Sequence, residues 1–113
     1  MTHTLYRNEQ VFFRVVGVCQ DVLHAFLGVL GDVPYEARKR KGKNDFVLSI
    51  KLSTPAVCEA IQRALLQCPL EAPYGSYISL VTESDSDGVH LEPFICDFVH
   101  KVGGDLDFSF TIV

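Results

Sequence analysis

Cys96 and His100 stand four positions apart, a spacing that puts two side chains on one face of a helix. A thiol beside an imidazole is either a nucleophile with its base or half of a zinc site. No CxxC or HxxxH spacing supplies the other half. Cys96 also borders an apolar stripe, so the plain alternative is a thiol packed into a core. A second candidate is Glu83-x-Asp85-x-Asp87-Gly88, the opening half of a calcium loop with oxygen ligands at alternate positions and glycine at the sixth. Its twelfth position is Phe94, where the bidentate glutamate belongs, so a polar turn is the better description. The third is a cationic run: Arg38, Lys39, Arg40, Lys41 and Lys43 surround Gly42 and hold half of the chain's 10 basic residues. Such a hairpin meets phosphates or an acidic partner, or serves as a solvated tip whose charges prevent edge pairing. Tyr35 is the one aromatic residue close to it, too little for stacking bases along a single strand.

There is no Walker loop, GxGxxG, GxSxG or HExxH. Gly103-Gly104 precedes a strand pattern and reads as a helix stop rather than a phosphate loop. The expectation is a protein that is not an enzyme, with no catalytic residues, cofactor or metal. With a net charge of −4, nucleic acid is a poor match. Without the five hairpin cations the remainder stands at −9, and the acids cluster late: Glu83, Asp85, Asp87, Glu92, Asp97, Asp105 and Asp107. These seven form a candidate surface for steering a basic protein partner, against the alternative of a solvated surface.

The elements that position these residues start from residues 11–18, VFFRVVGV, broken only by Arg14 and Gly17. This run is β-branched and aromatic and apolar on both alternating faces, which marks a central strand. Residues 1–9 are polar and read as a frayed lead-in, with no signal peptide and no membrane span. In residues 19–30, Val22, Leu23, Phe26, Leu27 and Leu30 recur at helical spacing and Gly31 stops them. Residues 35–39 and 46–52 form a hairpin, the first strand at an edge and the second half-buried through Phe46, Leu48, Ile50 and Leu52. Thr54 caps a second helix with Pro55 at its first position, and its stripe is Val57, Ile61, Ala64, Leu65 and Cys68. A loop at 70–75 leads to a strand at 77–82, an extended stretch at 89–91 and a third helix from Pro93 to Gly103. The last strand, 106–113, alternates Leu106, Phe108, Phe110 and Ile112 with polar residues, a half-buried pattern.

At 113 residues and 48% hydrophobic, this is one globular domain that buries roughly two-thirds of its unfolded surface. No disulfide is required, and the four scattered cysteines are expected reduced in the cytoplasm. The order β-α-β-β-α-β-α-β predicts an α+β fold, a ferredoxin-like core with a C-terminal α-β extension and helices on one face of a mostly antiparallel sheet.

Residues 11–69 resemble the small ACT-like YbeD family: an apolar opening strand from Phe12 to Gly17, a helix, a basic glycine hairpin from Arg38 to Lys43, a strand and a helix. Residues 77–113 are similar to the closing half of a bacterial domain family of unknown function: a strand, a short acidic insert, a helix, Gly103 and a last alternating strand. Members of the latter are small stand-alone cytoplasmic proteins, some of them immunity partners of toxins. Neither family has catalytic residues to carry over. The resemblance implies an inhibitor of another protein, such as a basic-surfaced toxin or enzyme. The alternative it implies is an ACT-like regulatory module, a homodimer that binds a small metabolite.

Overall fold

A computed structural model describes residues 6–84 and 89–113. The elements are β1 (Arg7–Val18), α1 (Gln20–Leu30), β2 (Glu36–Lys39), β3 (Phe46–Lys51), α2 (Pro55–Gln67), β4 (Tyr74–Thr82), α3 (Pro93–Val102) and β5 (Asp105–Ile112). The strands form one mixed sheet in the order β2-β3-β1-β4-β5. Every pairing is antiparallel except β4 with β5. The fold is therefore α+β, with β1 central as its composition requires. No helix among the described residues is long and apolar enough to cross a membrane.

Strand alternation divides β1 between two environments. Val11, Phe13 and Val15 are buried, while Phe12, Arg14 and Val16 are half-buried on the opposite face. Phe13 is the hub of the core. Its ring stacks on Phe26 of α1 at 6.4 Å, meets Tyr74 of β4 at 5.8 Å and receives Phe98 of α3 edge-on at 6.0 Å. From α2, Ile61 and Ala64 join the same cluster. At Gly17 the register with β3 shifts between Val16 and Val18. This bulge turns Val18 to the core side, where it is buried. Gly17 has φ 87°, and a Cβ there would lie 2.9 Å from the Arg40 guanidinium.

Local signals set the helix ends. The Thr54 side chain accepts a hydrogen bond from the Val57 N–H at 3.3 Å, and Pro55 follows it. Gly31 and Gly103 close α1 and α3 with positive φ, and their N–H groups donate to Leu27 and Val99.

Four expectations need correction. First, residues 7–9 are not frayed: Arg7, Asn8 and Glu9 pair with Thr82, Val81 and Leu80, because a long β4 offers backbone partners that need no apolar pattern. Second, β4 begins inside the expected loop, with Tyr74, Gly75 and Ser76 opposite Val15, Arg14 and Phe13. Third, the buried stripe of α2 is rotated to Cys58, Ala60, Ile61 and Ala64, leaving Val57, Leu65 and Cys68 at its margin. Fourth, β5 is not half-buried. Leu106, Phe108, Phe110 and Ile112 are 56%, 53%, 37% and 54% exposed. They lie on the same side as Ser76, Ile78, Leu80 and Thr82. The helices rest on β3 and β4, and the edge strand reaches past them.

Candidate functional site

Among the described residues, no element covers the face of the sheet turned away from the core. Pairing places Phe12 of β1 opposite Tyr77 of β4 and Lys51 of β3, and Arg14 opposite Ser49. Glu36 and Arg38 of β2 face Ser49 and Val47 from the far side. These residues surround a hollow of about 270 Å³ lined by Phe12, Arg14, Glu36, Arg38, Val47, Ser49 and Tyr77. A neighbouring hollow of about 230 Å³ shares Phe12, Glu36 and Ser49 and adds Tyr35 and Lys51.

The Arg14 guanidinium carbon lies 5.1 Å from the centre of the Tyr77 ring, within reach of a cation–π attraction. The Tyr77 ring packs at 43° against Phe12 with centroids 6.4 Å apart. Arg14 also lines a small cavity of about 40 Å³ with Asp105 and Asp107 of β5. Charge is therefore divided across the face. Arg14, Arg38 and Lys51 sit on the β1-β3-β2 side and outnumber the one acid there, Glu36, while Asp105 and Asp107 sit on the β5 side. The backbones of Arg14 and Arg38 are on the order of 10 Å apart, with β3 between them. Two guanidiniums at that spacing can bracket a carboxylate or phosphate group, while the rings take an apolar or planar neighbour. The hollow's lining contains no thiol or imidazole.

The cationic run separates by role. Arg38 lines the hollow and Lys39 pairs with Phe46 at the end of β2. Arg40 is a structural clamp: its Nε and Nη2 donate to the two Asp45 oxygens at 2.5 and 2.6 Å. That pair holds the Arg40 guanidinium above its ordinary value and the Asp45 carboxyl below the usual carboxylate range. Lys41 and Lys43 remain exposed at the turn.

The acids among the described residues do not form one patch. Asp85 and Asp87 lie outside the described residues, as does most of the calcium-loop pattern. Glu83 follows β4 and accepts the Tyr6 N–H at 3.1 Å. Glu92 occupies the N-cap position of α3, and Asp97 is paired with Lys101 at 2.9 Å. Asp105 and Asp107 begin β5, roughly 25 Å along the sheet from Glu83. Cys96 is exposed, not packed, because the buried face of α3 is Ile95 and Phe98. His100 is exposed as well, and no group of three metal-ligating side chains occurs among the described residues. Phe12, Arg14 and Tyr77 were not among the expected site residues. Their signal was Arg14 itself, a charge inside an otherwise apolar strand.

All four cysteines are free. Burial pushes the Cys58 thiol up to about 11. Because its folded value is the higher one, this stabilisation is complete below the ordinary thiol range and is lost as pH rises through about 11. Alkylation of the folded protein at mildly alkaline pH should label the exposed Cys19 and Cys96 first. Cys58 should react only when the chain unfolds, which peptide mass mapping would read out; early Cys58 labelling would mean that α2 opens locally.

No family model, no curated protein and no solved structure matches this chain.

Proposed function

We propose that this chain is a non-enzymatic protein-binding module that inhibits its partner, as an immunity protein does a toxin, and that it docks through the open face of its sheet. The observation that supports this most is the uneven charge of that face, with Arg14, Arg38 and Lys51 outnumbering Glu36 near the Phe12 and Tyr77 rings, and Asp105 and Asp107 beyond them. A partner that fits presents an acidic group to the arginines, an apolar side chain to the rings and a basic group to the β5 acids. Of the described acids expected to meet a partner, Asp105 and Asp107 line this face. The proposal reads the first six elements as a ferredoxin-like unit extended by α3 and β5, supported by the order β2-β3-β1-β4 within the sheet. It places the protein in a bacterial cytoplasm.

The test is purification of the tagged protein from its own cells at low and high salt, with the partner identified by mass spectrometry. Charge reversal then assigns the face. Arg14→Glu with Arg38→Glu, and separately Asp105→Lys with Asp107→Lys, should each weaken binding by at least about tenfold. Asp97→Lys, on α3, should stay within about twofold. Unchanged affinity in both pairs would place the contact elsewhere.

One observation favours a second reading. Two guanidiniums against one carboxylate, Glu36, with two rings around about 270 Å³, also suit a small metabolite carrying an anionic group, as in an ACT-like regulatory module. A panel of carboxylated and phosphorylated metabolites that leaves the melting temperature unchanged would remove it.

A further inference from the structure

The two edges of the sheet are built differently. β2 is four residues long, and three of its residues are Glu36, Arg38 and Lys39. Short length and charge are the ordinary protection of an exposed edge. β5 has eight residues, and its charges are confined to Asp105 and Asp107 at the start. Both acids lie on the open face, opposite the apolar stripe. Leu106, Phe108, Phe110 and Ile112 stand in a row on the other face, and the Phe108 and Phe110 rings stack at 6.3 Å. Each is more than one-third exposed, and Val113 just beyond is 65% exposed. A long edge strand with such a stripe and no guarding charge on that face is a pairing surface.

The stripe also indicates what pairs with it. Read outward from Ser109, it is symmetric: Phe108 and Phe110 on either side, then Leu106 and Ile112. We propose that a second copy of this chain pairs antiparallel along β5 with its two-fold axis at Ser109, joining two five-stranded sheets into one of ten strands. In that register Phe108 faces Phe110 of the other copy, Leu106 faces Ile112, and Ser109 faces itself. Aromatic and aliphatic pairs directly across strands are the contacts that stabilise a sheet. The acids select this arrangement over its alternatives. Asp107 falls opposite Thr111 and Asp105 opposite Val113, so the two copies' carboxylates sit at opposite ends of the seam. Parallel pairing in register, or a two-fold axis at Asp107, would set carboxylate against carboxylate.

The exposed parts of these side chains amount to about 400–500 Å² per copy. Covering all of it would bury about 800–1,000 Å² over the two copies, the size of a weak interface, supplemented by main-chain hydrogen bonds along the strand. An interface of that size is characteristic of weak, reversible association, so the micromolar range is where its dissociation is to be measured.

Sedimentation velocity of the full chain, over a dilution series spanning that range, should show the mass rise from 12.6 kDa to twice that value. Phe108→Lys should shift the midpoint at least about tenfold toward higher concentration while leaving the far-ultraviolet spectrum unchanged, since the side chain is exposed. A second measurement fixes the register. In a Cys19→Ser, Cys96→Ser background, Ser109→Cys should form a disulfide between the same position of two copies on mild oxidation. Glu36→Cys, on the other edge, should not. A monomer throughout the series, a dimer indifferent to Phe108→Lys, or equal cross-linking from both edges would each overturn the proposal.

Discussion

Truncating Phe13 to alanine should lower the unfolding free energy by about 3–5 kcal/mol. The residue has no exposed surface and sits on the central strand. Its ring is the common neighbour of Phe26, Tyr74 and Phe98, so one truncation loosens α1, β4 and α3 together. The void cannot easily collapse, because its walls are rings on three separate elements. Domains of this size hold about 5–15 kcal/mol in total, so the variant should be near its unfolding threshold. The midpoint of a urea titration should fall with little change of slope. A loss under about 1 kcal/mol would mean that the core is organised elsewhere. Phe12→Ala is the companion measurement: its side chain lies on the open face, and its loss should cost clearly less.

Gly75→Ala is the second large effect, and it acts on one junction. A Cβ at Gly75 would overlap the Asp105 carbonyl oxygen and stand 2.7 Å from the Asp105 nitrogen. No side-chain rotation relieves a clash with main chain, so the start of β5 must move away from β4. Overpacking ordinarily costs about 1–3 kcal/mol, and this contact belongs at or above the top of that range. The loss should concentrate in β5. Hydrogen exchange at residues 105–112 should accelerate far more than in β1 or β3, because among the described residues β4 alone holds β5 in the sheet. Equal acceleration throughout would show that β5 and the core unfold as one unit.

What could be read from the chain, and what could not, divides by the range of the interaction. Thr54-Pro55, Gly31 and Gly103 act on their nearest neighbours, and the helix ends they imply stand within a residue. The alternation in the last strand identified its two faces correctly. Which neighbour covers a face is a tertiary fact, however, and there the expectation of burial failed. The same limit hid the candidate site. Arg14 was conspicuous as a charge in a central strand, but Tyr77 becomes its neighbour only through the β1–β4 register. Cys96 illustrates the finer version: one position along a helix turns a side chain by about 100°, enough to exchange a core thiol for an exposed one.

The central position of β1 has a cost in time. Its partners on β4 lie roughly 60–75 residues further along the chain, a delay of roughly 3–15 s at ordinary rates of protein synthesis. Throughout that interval a run of apolar, strand-forming residues is missing one of its two neighbours. Such segments are where nascent chains associate with one another, and a charge in the middle of the run is the usual safeguard. Arg14 occupies that position, so the side chain that lies over Tyr77 in the finished sheet also guards the ribosome-borne chain before Tyr77 has been made.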